Sequence, residues 1–161
     1  MGGSDFMIAK VKLEDVLEAI EMRTRESNYF YNKKTGEIHY ITDDELQEAE
    51  EDIDINDYPE WQQESIKTAI EILTTDNYIK LPEEDEIDDY GIMEDFCFSI
   101  EGKELRNEML EVIEGKGAFR RFKDKIYEYD LVDDWYDYQD KRFREKAIEW
   151  CERYNIDYEE N

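Results

Sequence analysis

The sequence predicts an α+β protein that is mostly helical, with a small antiparallel sheet and a β-hairpin in its N-terminal half and a helical C-terminal half. Three observations indicate this fold class. Most apolar residues recur at helical spacing, two β-prone runs flank a glycine-containing loop, and the chain has only 2 prolines and 7 glycines. Aromatic residues make up 14% of the 161 residues, which favours a folded core although 41% of the residues are charged.

The N-terminal half begins with a helix followed by a hairpin. Apolar residues at i, i+3, i+4 and i+7 predict a helix over residues 13–20. The runs 28–32 and 38–41 predict two strands. Gly36 lies in the loop between them and can adopt the positive φ that a Cβ would penalise.

A capping box follows the hairpin. The Thr42 hydroxyl can accept the backbone N–H of Glu45, and the Glu45 carboxylate can accept the backbone N–H of Thr42. Ile41 and Leu46 occupy the two positions of a hydrophobic staple. A short helix is therefore expected to start at residue 43.

Further helices and one strand complete the predicted elements. A helix is expected to begin at Pro59, and its predicted apolar face is Ile66, Ala69, Ile70 and Leu73. Residues 77–82 predict a third strand, and residues 83–95, with eight acids and no base, predict a charged helix entrance. Three apolar stripes then predict C-terminal helices: Leu105, Met109, Val112 and Ile113; Phe119, Phe122 and Ile126; and Phe143, Ala147, Trp150, Cys151 and Tyr154.

The chain is expected to be a single domain. Residues 1–6 resemble an expression scar before a second start at Met7. Residues 7–161 then have ordinary domain size, with an α/β half at 7–82 and a helical half at 83–161. The sequence leaves open whether the two halves share one core.

Charge and cysteine content limit the partners and the compartment. The chain has 20 basic and 46 acidic residues, a net charge of −26 that disfavours binding to nucleic acid or to an anionic membrane. No apolar run approaches the roughly 20 residues of a membrane span. Cys97 and Cys151 are separated by 54 positions and lie in apolar segments, which indicates two reduced thiols and a cytoplasmic protein.

No motif identifies a reaction, a cofactor or a metal. Asp52, Asp54 and Asn56 match the first ligands of an EF-hand loop, but the required glycine is Asp57 and the final glutamate is Gln63. The same alternation would equally suit a short strand. The single histidine, His39, has no nucleophile near it in sequence, and there is no phosphate-binding glycine motif. The expectation is no cofactor and no metal site. The sequence leaves open whether the protein is an enzyme, and the lack of a catalytic motif favours a protein that is not one.

The most unusual local feature is a concentration of basic residues. Nine of the 20 lie in residues 116–125 and 141–146, with aromatic residues between the two clusters. A helix start at Gly117 would add free backbone N–H groups. The predicted binding residues are Lys116, Gly117, Arg120, Arg121, Lys123, Trp135 and Tyr136.

The alternative is that these cations are neutralised within the molecule. Asp133, Asp134 and Asp137 would pair with the arginines and lysines that follow Gly117, and the abundance of acids favours this interpretation. The aromatic residues beside them would then be core residues.

Several segments resemble a known family. Residues 115–124, with the sequence GKGAFRRFKD, the hairpin at 31–38, the strand end at 79–82 and the run 92–96 are similar to uncharacterised protein family 0158, a bacterial group. The resemblance extends from about Leu13 to Tyr154. It implies a bacterial cytoplasmic protein and no mechanism, because no activity is established for that family.

Three functional hypotheses follow. The first is a non-enzymatic binding or adaptor protein that contacts a protein partner through its basic and aromatic C-terminal surface. The second is an acidic mimic of nucleic acid that uses the carboxylates of residues 43–60 and 83–95. The third is a Mg²⁺-dependent hydrolase or nuclease that uses clustered carboxylates.

Overall fold

The structure, a computed structural model, describes residues 9–24 and 26–160, so the predicted expression scar lies outside the described residues. It confirms the predicted fold class, since helices dominate and the three-stranded sheet lies in the N-terminal half. The elements in chain order are β1 (Val11–Lys12), α1 (Leu13–Met22), β2 (Ser27–Asn32), β3 (Ile38–Thr42), α2 (Asp43–Ala49), α3 (Glu60–Thr74), β4 (Tyr78–Lys80), α4 (Glu84–Ile87), α5 (Asp89–Phe98), α6 (Lys103–Val112), α7 (Ala118–Glu128), α8 (Val132–Arg153) and β5 (Tyr158–Glu159).

The described chain forms two compact units. The first contains the described residues up to Glu83 together with those from Ala147 onward, and the second is Glu84–Lys146. The division after Glu83 lies one residue beyond the boundary expected between the two halves. The second division falls inside α8, so the last turns of this helix belong to the first unit. No sequence signal marks this division within α8, because the apolar stripe of the helix continues without a break.

The first unit is built around an antiparallel sheet with strand order β3-β2-β4. On one face, Phe30 and Ile41 form a buried cluster with Ala69 of α3. On the other face, the fully buried Tyr31 ring packs edge-on against Trp150, with ring centroids 5.8 Å apart. The sheet therefore has apolar neighbours on both sides, as alternation of strand side chains allows.

The predicted hairpin and capping box are confirmed. Gly36 has a φ of +81°, and a Cβ at this position would lie 2.6 Å from the carbonyl oxygen of Lys10. Thr42 Oγ1 accepts the Glu45 backbone N–H at 3.1 Å, while the Thr42 N–H donates to Glu45 Oε1 at 3.0 Å. Both features are local, so short-range sequence signals are sufficient to specify them.

Two predicted details differ in the structure, and one strand pairing was not predicted. The alternating residues 52–56 do not form a strand, because Asp54 caps a 3₁₀ turn at Ile55–Asp57 by accepting the Asn56 backbone N–H at 3.0 Å. The acidic entrance is interrupted at Asp88, whose φ of 56° separates α4 from α5. A parallel pairing of β1 with β5, in which Val11 lies opposite Tyr158, has no sequence signal.

The second unit has an aromatic core. Phe122 of α7 contacts Trp135 of α8 with ring centroids 4.8 Å apart, and Phe96 of α5 contacts Trp135 at 5.3 Å. These edge-on arrangements are favourable for aromatic rings. Phe122 and Trp135 are 1% and 4% exposed, so α7 is held to α8 by its buried face.

Candidate functional site

The loop between α6 and α7 contains the first predicted binding residues. Gly115 and Gly117 have φ values of 76° and 78°, a left-handed conformation that glycine adopts without strain. Gly117 is the N-cap of α7, and no side chain caps the first turn of this helix. Lys116 is exposed between the two glycines.

Arg121 binds this loop. Its guanidinium donates to the carbonyl oxygens of Val112 at 2.8 Å and of Lys116 at 2.5 Å, and also to the carbonyl of Glu114. These carbonyls lie at the end of α6 and in the loop, where no further helical turn supplies donors. Arg121 therefore stabilises the connection between α6 and α7 through backbone carbonyls, which neither interpretation of the basic cluster had anticipated.

Helix α7 presents a narrow exposed face, which we call the α7 surface. It consists of Phe119, Arg120, Lys123 and Tyr127. Phe119, Lys123 and Tyr127 follow one another at intervals of four residues, and Arg120 lies three residues before Lys123, so all four project to one side of the helix. Phe119 is 45% exposed and Tyr127 is 68% exposed, which is unusual for large aromatic residues.

Lys125 and Arg142 are paired with nearby carboxylates. Lys125 Nζ lies 3.0 Å from Glu128 Oε2, and this carboxylate raises the pKa of Lys125. Arg142 Nη1 lies 2.8 Å from Asp95 Oδ2, and the hydrogen bond raises the pKa of Arg142. These two cations are neutralised within the second unit.

Arg120 and Lys123 behave differently. Among the described residues, neither forms an ion pair, and this includes the predicted acidic partners Asp133, Asp134 and Asp137. Both side chains are exposed on α7. Internal neutralisation by nearby carboxylates therefore does not account for Arg120 and Lys123 in the described part of the molecule.

The two aromatic residues predicted for the site have different environments. Trp135 is buried in the core against Phe96 and Phe122, so its ring presents no face to solvent. Tyr136, the next residue, is 47% exposed on α8. The aromatic part of the α7 surface comes instead from Phe119 and Tyr127, and the four-residue spacing of Phe119, Lys123 and Tyr127 was the available signal.

The other candidate groups do not form a reactive arrangement. Within the described ranges, no group of three or more His, Cys, Asp or Glu side chains is placed to hold a metal ion. His39 Nε2 lies 3.7 Å from Glu37 Oε2, and its ring packs edge-on against Tyr78. Burial raises the pKa of the Cys97 thiol to about 11, which disfavours the reactive thiolate.

Comparison with known proteins identifies the family of the chain. The model of one family, described as "Uncharacterised protein family (UPF0158)", matches residues 7–160. A protein of Pseudomonas aeruginosa named "UPF0158 protein PA5073" is 34% identical over 67 residues. That stretch covers 41% of this chain and 44% of the relative, so the chain spans less than half the length of this relative.

Two further observations complete the comparison. No solved structure matches the chain. None of the helices in residues 9–24 and 26–160 combines the length and the apolar composition needed to cross a membrane. Because the family model covers almost the whole sequence, the chain belongs to Uncharacterised protein family (UPF0158), whose function is unknown.

Proposed function

We propose that this chain is a non-enzymatic binding protein of the cytoplasm that contacts a protein partner through the α7 surface. The observation that carries the proposal is the combination of two exposed aromatic rings with two cations that have no ion-pair partner among the described residues. Aromatic residues and arginine are the residue types most enriched where protein interfaces gain their binding energy. The thiols of Cys97 and Cys151 are buried and free, which suits a reducing compartment.

The geometry of the α7 surface suits a helix-sized contact. Phe119 and Tyr127 are separated by two turns, or about 12 Å along the helix axis. The Phe122 side of α7 packs on Trp135, so the helix is supported from behind. A partner that offers an apolar depression flanked by carboxylates would match both the rings and the cations.

The overall charge would orient such an encounter. A local cluster of positive charge in a chain of net charge −26 creates a strong asymmetry of potential. An acidic partner is attracted to the α7 surface and repelled elsewhere, so electrostatics would favour one docking orientation. Nucleic acid is a poor match, because its continuous phosphate charge would face the acidic remainder of the molecule.

A pull-down with charge-matched variants tests the proposal. The test variant is Arg120→Glu with Lys123→Glu, and the control is Lys67→Glu with Lys103→Glu, which changes the net charge equally at exposed positions elsewhere. We expect proteins that are captured from a lysate of the source organism by the wild type and the control to be absent with the test variant. All three proteins should have similar melting temperatures, because the substituted residues are exposed.

One outcome would contradict the proposed binding role of the α7 surface. If the test variant captures the same proteins as the wild type but melts at a lower temperature, Arg120 and Lys123 stabilise the fold and the α7 surface is not a binding site. A second variant, Phe119→Ser with Tyr127→Ser, examines the aromatic contribution at constant charge. It should also lose the partner if the rings make the contact.

A further inference from the structure

A shallow groove on the first unit has a chemistry opposite to that of the α7 surface. It has a volume of about 220 Å³ and is lined by Asp15, Glu18, Ala19 and Met22 of α1 and by Tyr29 and Ile38 of the sheet. The four α1 residues recur at i, i+3, i+4 and i+7, so one face of the helix forms one wall. We call this feature the α1 groove.

The floor of the α1 groove is an incompletely covered part of the sheet. Tyr29 lies directly opposite Tyr40, and Tyr31 lies opposite Ile38, so these four side chains share one face of the hairpin. Tyr31 is fully buried against Trp150, whereas Tyr40 remains 50% exposed and its ring contacts that of Tyr29 at 5.2 Å. Side chains on this face of the sheet are therefore buried at one end of the hairpin and exposed to solvent at the other.

The rim adds more exposed apolar surface and negative charge. Met22, in the last turn of α1, is 61% exposed and lines the groove together with Tyr29. Among the described residues, Asp15 and Glu18 form no ion pair. Burial, with smaller contributions from Tyr40 and Glu18, raises the pKa of Tyr29, which agrees with a carboxylate close to the phenol.

We infer that the α1 groove binds a segment of another protein that carries arginine or lysine next to apolar residues. Charge complementarity identifies this occupant, because the wall presents two carboxylates that form no ion pair with any described residue, and the whole chain has a net charge of −26. Tyrosine rings attract a cation to their faces, and the aliphatic stem of arginine or lysine can lie along Met22 and Ile38. A second copy of this chain would be repelled at long range by its own negative charge.

The inference is independent of the α7 surface, which attracts the opposite charge. It also differs from mimicry of nucleic acid, since mimicry requires carboxylates alone, whereas the α1 groove requires the apolar residues as well. A neutral change at Met22 therefore separates groove binding from general attraction to an acidic surface.

Calorimetric titration at physiological salt is the appropriate experiment. The probe is an acetylated and amidated hexapeptide that alternates leucine with arginine, and the control peptide replaces each arginine with citrulline. We expect saturable binding of the arginine peptide only. Asp15→Asn with Glu18→Gln should weaken it about fivefold, as expected for two exposed ion pairs. Met22→Ser should weaken it about threefold through lost apolar contact.

A matched control and a mapping experiment distinguish binding in the α1 groove from general attraction of the peptide to acidic surfaces. Glu101→Gln with Glu111→Gln removes the same charge from exposed positions elsewhere, and it should weaken binding less than twofold. Equal weakening by both charge pairs, or no effect of Met22→Ser, would overturn the inference. So would backbone amide shifts in the wild type spread over all acidic surfaces instead of concentrated at residues 15–22 and 29–40. A dimer that forms without peptide and is abolished by Met22→Ser would identify a second copy as the occupant and also overturn it.

Discussion

Replacement of Arg121 with alanine should destabilise the connection between α6 and α7 although it removes no ion pair among the described residues. The side chain makes three hydrogen bonds to the carbonyls of Val112, Glu114 and Lys116. Water can replace part of each bond, because the guanidinium is exposed, so we take the lower limit of about 0.5 kcal/mol per bond. The free energy of unfolding should therefore fall by about 1.5 kcal/mol. For a chain of this size, that corresponds to a decrease of about 3–6 °C in the melting temperature.

Thermal unfolding followed by circular dichroism measures this effect, and the neighbouring residue provides the control. Arg120 is also exposed, but it forms no ion pair among the described residues, so Arg120→Ala should change the free energy of unfolding by less than about 0.5 kcal/mol. Arg121→Lys keeps the charge but loses the planar group that contacts three carbonyls, and its stability should be intermediate. Backbone amides of residues 112–117 should exchange faster in Arg121→Ala than in the wild type.

One result would refute this reasoning. If Arg121→Ala and Arg120→Ala have the same melting temperature and the same exchange rates, the carbonyl contacts of Arg121 contribute nothing to stability. The assignment of Arg121 to a structural role would then be wrong, and its guanidinium would return to the set of candidate binding groups.

Three other predictions concern the first unit and the two cysteines. Tyr31 is fully buried, its hydroxyl has no hydrogen-bond partner in the described part of the chain, and burial raises its pKa to about 12. Because the buried phenol is stabilised in its neutral form, its contribution to the free energy of unfolding is fully present below pH 10, the ordinary pKa of tyrosine. This contribution is lost as the pH rises towards 12. Tyr31→Phe should therefore make the free energy of unfolding less dependent on pH in this window. Gly36→Ala should lower the free energy of unfolding by at least about 1 kcal/mol in urea titrations, because the added Cβ meets the Lys10 carbonyl at 2.6 Å. Burial raises the pKa of Cys97 and of Cys151 to about 11. An aromatic disulfide reagent at pH 8 should therefore modify the two thiols only after denaturant is added. Rapid modification of the native protein would contradict their burial.

The sequence was most informative where a feature depends on neighbours in the chain. The hairpin around Gly36 and the capping box of Thr42 and Glu45 were both predicted correctly, because turn geometry and helix caps involve residues only a few positions apart. Helical periodicity likewise located the buried faces of α1 and α7. Periodicity was less reliable at the ends of stripes, where Leu73 and Phe119 were expected in the core but are 44% and 45% exposed.

The candidate site was predicted only in part. The basic cluster was visible in the sequence, but charge alone could not distinguish Arg120 from Arg121, although they are adjacent. Their directions differ by about 100° around α7, so one side chain points to solvent and the other reaches the carbonyls of the preceding loop. The predicted aromatic partner Trp135 is a core residue for the same reason, since its position on α8 turns it towards Phe96 and Phe122.

By itself, the sequence determined the fold class, the hairpin, the capping box at Thr42, the acidic charge and the family. The tertiary structure alone decided which cations lack an ion pair among residues 9–24 and 26–160, which aromatic rings face solvent, and how Val11 comes to pair with Tyr158. These properties depend on contacts between residues far apart in the chain, which are fixed by packing and not by local preference. Local patterns restrict each segment to a few conformations. Packing of the core then determines which face of each helix is exposed to solvent and available to a partner.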